Sequence, residues 1–495
     1  MPAIITNKFR IHNSEQFRES FSEAAPNVYY LGIGRSQAWA TLLRGDGRTD
    51  YEGSDTLPIL PSDTVATEYN TFDDLLAVKR ILTTNVAFVI PRRNWTNGAT
   101  YDIYRHDYGE FQTGSTTLKV VSTGNKTTLF DSHFYVLNST FNVYKCLDNA
   151  GGIASIIEPT GTSIATLTTG DGYKWKYMYT LTAAEQTNFL STDFMSVTPN
   201  ASAVTGQLNV ISAAVNGKID VIKIKSQGFG GTDGTHTNID IRGDGTGGKC
   251  SVVVTGGLVT AVTVTTAGTG YTFGTVSNAQ LISAGATSLS GAELDVIIGP
   301  PGGHGSNAKN ELGAFFIMMN SNLEGTEAAN SGDFVATNDF REIVLIRDPK
   351  SGGSTATGAT LRATRAIKIT NPSGTFTADE EITQTNTGAG GKVIQWDSVN
   401  GILYYIQARH QDAGIDSNGN QVAFSGANVI TGALSGVTGT ADISQNADLN
   451  NVKFTNGYSV PEIDHDTGDV IYVENRAPIT RAADQTENIK LIIEF

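Results

Sequence analysis

IDVIKIKSQGFGGT (residues 219–232) overlays VTAVTVTTAGTGYT (residues 259–272) at an offset of 40 residues. Ile222 and Ile224 fall on Val262 and Val264, a period-two apolar face that marks a strand half-buried against a core. Gly228 and Gly230 fall on Gly268 and Gly270, where a residue without Cβ lets the chain turn sharply. A second stretch, about residues 360–445, repeats at an offset of 48, with FTADEEITQTNTGAGG (376–391) over FSGANVITGALSGVTG (424–439). Phe376 and Phe424, Ile382 and Ile430, and Gly388 and Gly436 share its register. Each copy predicts a strand, a glycine turn and a return strand. Two copies are fewer than the three or so a free-standing solenoid needs. Both stretches therefore read as small sandwich-like or barrel-like β modules.

The rest of the composition points the same way. The chain has 495 residues, 54 Gly and 13 Pro, a balance that favours strands joined by tight turns. Lys and Arg number 34 against 49 Asp and Glu, a net charge of −15, which argues against gripping a phosphate backbone. Helical signals are few. Ser14 is a predicted cap for EQFRESFSEA, with Phe17 and Phe21 at i, i+4. Thr71 is a predicted cap for FDDLLAVKRIL (72–82), and TAAEQTNFL (182–190) is a third candidate. Phe141, Val143 and Leu147 alternate with Asn142, Tyr144 and Cys146 as strand faces.

Cys146 and Cys250 are too few for a disulfide framework and read as buried free thiols, which fits folding in a reducing cytoplasm. The N-terminus lacks the apolar core of a signal peptide, and the longest apolar run, LGAFFIMM (312–319), is far short of the ~20 residues of a membrane span. No membrane partner is expected.

A search for chemistry returns little. His12, His106, His133, His236, His304, His410 and His465 show no metal-ligand spacing, and there is no nucleophile elbow. GIGRSQ (32–37) lacks the residues of a phosphate loop and reads as a tight turn. DSNGNQ (416–421) reads as a hairpin turn rather than a calcium loop. Arg242, Gly243 and Asp244 form an adhesion-like tripeptide of almost no information content. Glu380 and Glu381, adjacent on a strand, point to opposite faces and make no catalytic dyad. Arg92 and Arg93 are either solvated charges or an ion-pair anchor for an acidic neighbour. No catalytic residue, cofactor or metal is expected, and the chain reads as a non-enzyme.

Several blocks in fixed order carry a resemblance. They are NKFR (7–10), IGRSQAW (33–39), IPRRNW (90–95), VYKCLDN (143–149), TGDGYKWKYMYTL (169–181), DFREIVLIRDP (339–349) and GDVIYVENRAPITRAADQTENIKLIIEF (468–495). On these blocks the chain resembles the baseplate wedge subunits of T-even-type contractile-tailed phages, the family of gene product eight. The resemblance covers about residues 1–205, 305–355 and 455–495; the two repeat-bearing stretches depart from it and read as insertions.

The resemblance implies a mainly β fold with a small α+β part. The N- and C-terminal segments form one α+β domain, with β-sandwich-like domains between and two glycine-rich repeat-containing insertions. The expected division is an N-terminal part (1–205), an inserted repeat domain (206–304), a return to the family core (305–359), a second inserted repeat domain (360–445) and a C-terminal segment packing with the N-terminal domain (446–495). The resemblance further implies a structural protein of the virion tail baseplate, a homodimer bound to other wedge subunits, assembled in the host bacterial cytoplasm and binding no nucleic acid. Candidate interface or structural-motif residues are Arg35, Trp39, Arg92, Arg93, Trp95, Trp175, Glu474, Asn475, Arg476 and Asp484. The insertions are candidates for host-surface glycan or neighbour contacts. The alternative reading is a receptor-binding tail fibre or tailspike with polysaccharide depolymerase activity. The two-and-two repeat count tells against it.

Overall fold

A computed structural model describes residues 4–23, 26–39, 54–111, 116–119, 126, 128–326, 334–335, 338–408, 414–480 and 486–495. The fold is mainly β, with antiparallel sheets and short helices. Two compact units divide it: Met1–Gln16, Ala87–Met318 and Ile492–Phe495 form one, and Phe17–Val86 and Met319–Leu491 the other.

In the second unit a five-stranded antiparallel sheet runs in the order Thr360–Arg362, Leu75–Ile81, Tyr29–Gly34, Phe340–Arg347, Asp469–Ile479. Segments from near both ends of the chain thus share one sheet. Tyr30, Leu75, Val78, Val344 and Ile346 build its core with Phe72 from the preceding helix. Two local readings fail here. The helix predicted over 72–82 lies earlier, at Val65–Asp74, capped by the Thr64 hydroxyl accepting from Thr67 N at 3.2 Å, and Leu75–Ile81 is a strand. An apolar run buried on both faces of a sheet looks like a helical stripe in sequence, and length alone does not separate them. Nor is GIG a turn. Gly32 sits in the Tyr29–Gly34 strand, where a Cβ would come 2.7 Å from Val344 Cγ1 and 2.8 Å from Leu75 Cδ1. The turn starts one step later, at Arg35, whose φ is +53°.

The same unit holds a closed barrel. Its ring runs Ile402–Ile406, Gly390–Asp397, Glu381–Gln384, Val429–Gly432, Thr438–Ala441, Arg365–Thr370 and back to Ile402–Ile406, every neighbour antiparallel. Both repeat copies form the predicted hairpins, and they pair with each other: Ile382 faces Gly432 and Gln384 faces Ile430. Phe376, Phe424, Ile382 and Ile430 fill the interior. Gly388 and Gly436 turn the hairpins at φ +76° and +66°.

In the first unit, Asn142–Asn149 and Tyr173–Thr180 are the centre of a four-stranded sheet flanked by Tyr135–Leu137 and Leu167–Thr168. Bulges interrupt the expected alternation after Val143 and Cys146, and nearly every residue of Asn142–Asn149 is buried. The earlier repeat folds around a separate core that includes Ile222, Cys250, Val252 and Leu281. Its matched glycines adopt matched conformations: Gly228 and Gly268 at φ +64° and +66°, Gly230 and Gly270 at +75° and +74°. Their strands differ in partner, however. Ile219–Phe229 pairs with Ser290–Ile298, whereas Leu258–Thr266 pairs with Lys249–Thr255.

Helix Asn7–Glu19 begins earlier than predicted, so Ser14 lies inside it. Its buried hydroxyl donates to Ile11 O at 2.7 Å and Ala314 O at 3.1 Å, the back-bonding open to a mid-helix serine. Phe17 and Phe21 do meet, edge to face at 5.5 Å. Thr182 caps Ala183–Phe189 in a reciprocal box with Glu185. The terminal strand Thr486–Glu494 pairs with Phe316–Thr326 rather than with an N-terminal strand; Arg10 reaches the Phe495 carbonyl and the Glu494 carboxylate.

Candidate functional site

The sequence blocks that stood out converge on two buried clusters. In the five-stranded sheet's unit, Arg35 leaves its strand in the left-handed region, which turns its guanidinium inward. Arg35 Nη1 donates to Asp74 Oδ2 at 2.9 Å, Arg35 N donates to Asp74 O at 2.9 Å, and the guanidinium lies 4.2 Å over the Trp39 ring. Trp39 N donates to Asp55 Oδ1 at 2.8 Å and its indole Nε1 to Arg476 O at 2.9 Å. Arg341 grips Asp55 through two bonds, 2.9 and 3.0 Å, and reaches Ser36 O. That bidentate pair holds the Asp55 carboxyl below the usual carboxylate range. IGRSQAW, DFREIVLIRDP and ENR are therefore one hydrogen-bonded assembly.

Beside it, Glu342 is buried without room for its charge. Desolvation and the neighbouring Asp74 push its carboxyl up to about 8 against the pull of Arg35. Glu474 accepts from the Tyr472 hydroxyl at 2.9 Å and lies 3.8 Å from Arg476, and Asn475 faces Glu342 across the ladder. Asp484 lies outside the described residues.

The second cluster joins IPRRNW, VYKCLDN and TGDGYKWKYMYTL. Trp175 is fully buried, stacked on Tyr173 at 5.4 Å and edge-on to Tyr101 at 5.6 Å, opposite Cys146. Trp95 donates from Nε1 to Ser155 Oγ at 3.1 Å. Arg92 and Arg93 are not freely solvated: both make hydrogen bonds within this unit. Arg92 donates to Ser191 O at 2.8 Å and Asn94 Oδ1 at 3.0 Å; Arg93 donates to Phe130 O at 2.9 Å and to Ser132 O, and lies 4.6 Å over Tyr135. They are half-buried and held by neutral oxygens.

Sequence reasoning missed the Lys145–Glu311 pair, buried in the same unit, in which Glu311 also accepts from Gly305 N and Asn307 N. Burial drags Lys145 below the usual lysine range against the pull of Glu311. The one signal was a lysine inside an otherwise apolar strand, VYKCL. The histidines stay dispersed: His304 packs on Tyr104, while His106 Nδ1 accepts from Ile298 N. His410 lies outside the described residues.

Carboxylates in the loops serve the backbone. Asp416 accepts from Asn418 N and Asn420 N within its hairpin, and Asp244 binds Thr272 and Phe273, which consumes the adhesion-like tripeptide's carboxylate. Glu380 accepts from Thr377, Leu434 and Ser435. Both cysteines are free and buried. Among the described residues no three His, Cys, Asp or Glu are grouped to hold a metal, and no helix is long and apolar enough to cross a membrane. The arrangement is one of internal bracing.

The family model described as Bacteriophage T4, Gp8 matches residues 3–154 and 373–495. The matched segments take in most of the motif blocks and also the Phe376–Phe424 repeat, which sequence reading had set outside the resemblance. Residues 206–304 lie outside them. Among curated proteins none matches the chain.

Proposed function

The chain belongs to the Gp8 family of phage baseplate wedge proteins, and from that premise we propose how it works in the particle. It is a structural subunit of the tail baseplate. In our reading it is a homodimer within each wedge, binds neighbouring wedge subunits, and passes on the rearrangement that accompanies sheath contraction. It assembles in the infected cell's cytoplasm and performs no catalysis.

The observation that carries this reading is the extent of the family match, over both ends of the chain. Physical support comes from the bracing. Arg35, Trp39 and the Arg476 carbonyl tie distant segments of one sheet together, while Trp95 and Trp175 anchor another. Elements braced in this way move as bodies, with change concentrated at their interfaces. Solution mass by light scattering on the intact protein tests the dimer. A mass about twice the 52.5 kDa chain supports it. A mass three times the chain favours the tailspike reading, and polysaccharide cleavage would then be assayed.

A further inference from the structure

Arg92 and Arg93 open onto a cleft of about 610 Å³. Arg10, Lys126 and His133 line it as well, against the carboxylates of Asp131 and Glu494. Those two acids are engaged, Glu494 by Arg10 and Asp131 by the Thr128 hydroxyl. Neither Arg92 nor Arg93 pairs with a carboxylate among the described residues; their partners are three carbonyls and one side-chain amide oxygen. Such oxygens satisfy N–H donors but cancel no charge, and half-burying a cation without a direct ion pair is costly, although Arg93 also acts on the buried Asp102 carboxyl. The potential is felt nearby: burial, Arg93 and Lys126 together hold the His133 imidazole below its usual range.

In a chain of net charge −15, a fixed pair of cations calls for an anionic partner. The walls narrow the choice. Phe130 and Phe316, both partly exposed, supply apolar area beside the guanidiniums, while Arg10 covers the buried Phe315 ring at 3.5 Å. Carboxylates next to apolar side chains fit both features, because guanidinium and carboxylate match in planar two-point geometry. A nucleic-acid strand suits less well: the positive charge is one local spot on an acidic molecule, not a stripe.

We propose that this cleft receives an acidic segment of a neighbouring baseplate protein, its carboxylates meeting Arg92 and Arg93 and its apolar side chains lying on Phe130 and Phe316. The inference rests on the baseplate reading above and names the chemistry of one contact. Because the arginines are held by backbone carbonyls in the free protein, little side-chain entropy remains to be lost on binding.

The test uses the intact chain and a short fluorescein-labelled peptide rich in Asp and Glu with interspersed Phe, read by anisotropy. Binding is expected, with the Asn/Gln counterpart about tenfold weaker or worse, as loss of charge-assisted hydrogen bonds implies. Arg92→Gln should weaken the acidic peptide by a similar factor with an unchanged circular dichroism spectrum. Lys126→Glu, on the cleft wall, serves should Arg92→Gln misfold, and the same loss is expected of it. Equal binding of the neutral peptide, undiminished affinity in the folded variant, or tighter binding of single-stranded DNA would each overturn the proposal. A chain that assembles with wedge subunits yet ignores the peptide defeats the cleft alone. One that never assembles with them defeats the baseplate reading.

Discussion

The two internal repeats look alike in sequence and part company in space. In the later one, the hairpins at Glu381–Asp397 and Val429–Ala441 lie side by side, pair across Ile382–Gly432 and Gln384–Ile430, and share one interior. In the earlier one, Ile219–Phe229 and Leu258–Thr266 turn at matched glycines but pair with unrelated strands. A repeat thus encodes local conformation: a strand face and a left-handed turn. Which strand it pairs with is decided by what else is available to bury that face.

Core truncation should separate the two most clearly. Ile382 and Ile430 are both 0% exposed in one core. Ile382→Ala and Ile430→Ala should each cost about 3–4 kcal/mol and agree closely. Ile222 is buried while its counterpart Val262 is only partly so, so Ile222→Ala should cost clearly more than Val262→Ala. Urea denaturation of the four variants checks this; unequal losses in the barrel would break its symmetry.

Glycine substitution comes next. A Cβ on Gly228 would stand 2.7 Å from Ala292 N and Ser290 O, and one on Gly268 2.6 Å from Gly248 N. Around Gly388 and Gly436 nothing lies within 4 Å. Alanine at either barrel turn should cost only the left-handed penalty, about 1–2 kcal/mol. At Gly228 or Gly268 backbone collision adds to that, and thermal melts should show the larger drop.

Acid titration probes a subtler asymmetry. Glu380 of the first barrel copy caps the turn of the second by accepting from Leu434 N at 3.0 Å and Ser435 N at 2.8 Å. The side chain of its counterpart, Asn428, instead accepts from Asn386 Nδ2 at 3.2 Å and donates to Ser425 O at 2.8 Å. Burial pushes the Glu380 carboxyl up, but the bonds from Ser435, Thr377 and Leu434 outweigh it and hold the group below its usual value. The stability this confers is present above the ordinary glutamate pKa and lost as pH falls through the lowered one. Glu380→Gln should flatten that acid limb in denaturation measured from pH 6 to pH 3. The smallest effect belongs to Asp233, which accepts from Gly256 N and Gly257 N in the earlier repeat but is open to water. Asp233→Asn should leave the acid limb as it was, because solvent screens an exposed carboxylate.

What sequence disclosed and what it withheld follow the same division. The hairpins and glycine turns of the repeats and the helix in 182–190 depend on near neighbours, and they appear where they were expected. The Leu75–Ile81 strand was misread because two-sided burial depends on Tyr29–Gly34 and Thr360–Arg362, one before and one far after it. The bracing around Trp39 was hidden for the same reason: it joins residues 35, 55, 74, 341 and 476. The blocks were visible as motifs, but their contacts were not. Lys145 betrayed only its own oddity, and its partner Glu311 carried no signal at all.

The closed ring of strands from Arg365 to Ala441 matters for a structural protein of a phage baseplate. An open pair of hairpins would end in unpaired N–H and C=O groups, a template on which a neighbouring copy could add its own strand. Joining Ile402–Ile406 to Arg365–Thr370 leaves the ring no such terminus. Within this ring the duplicated β sequence is thereby made safe for crowding: its strands offer a neighbouring chain no end of a sheet to extend.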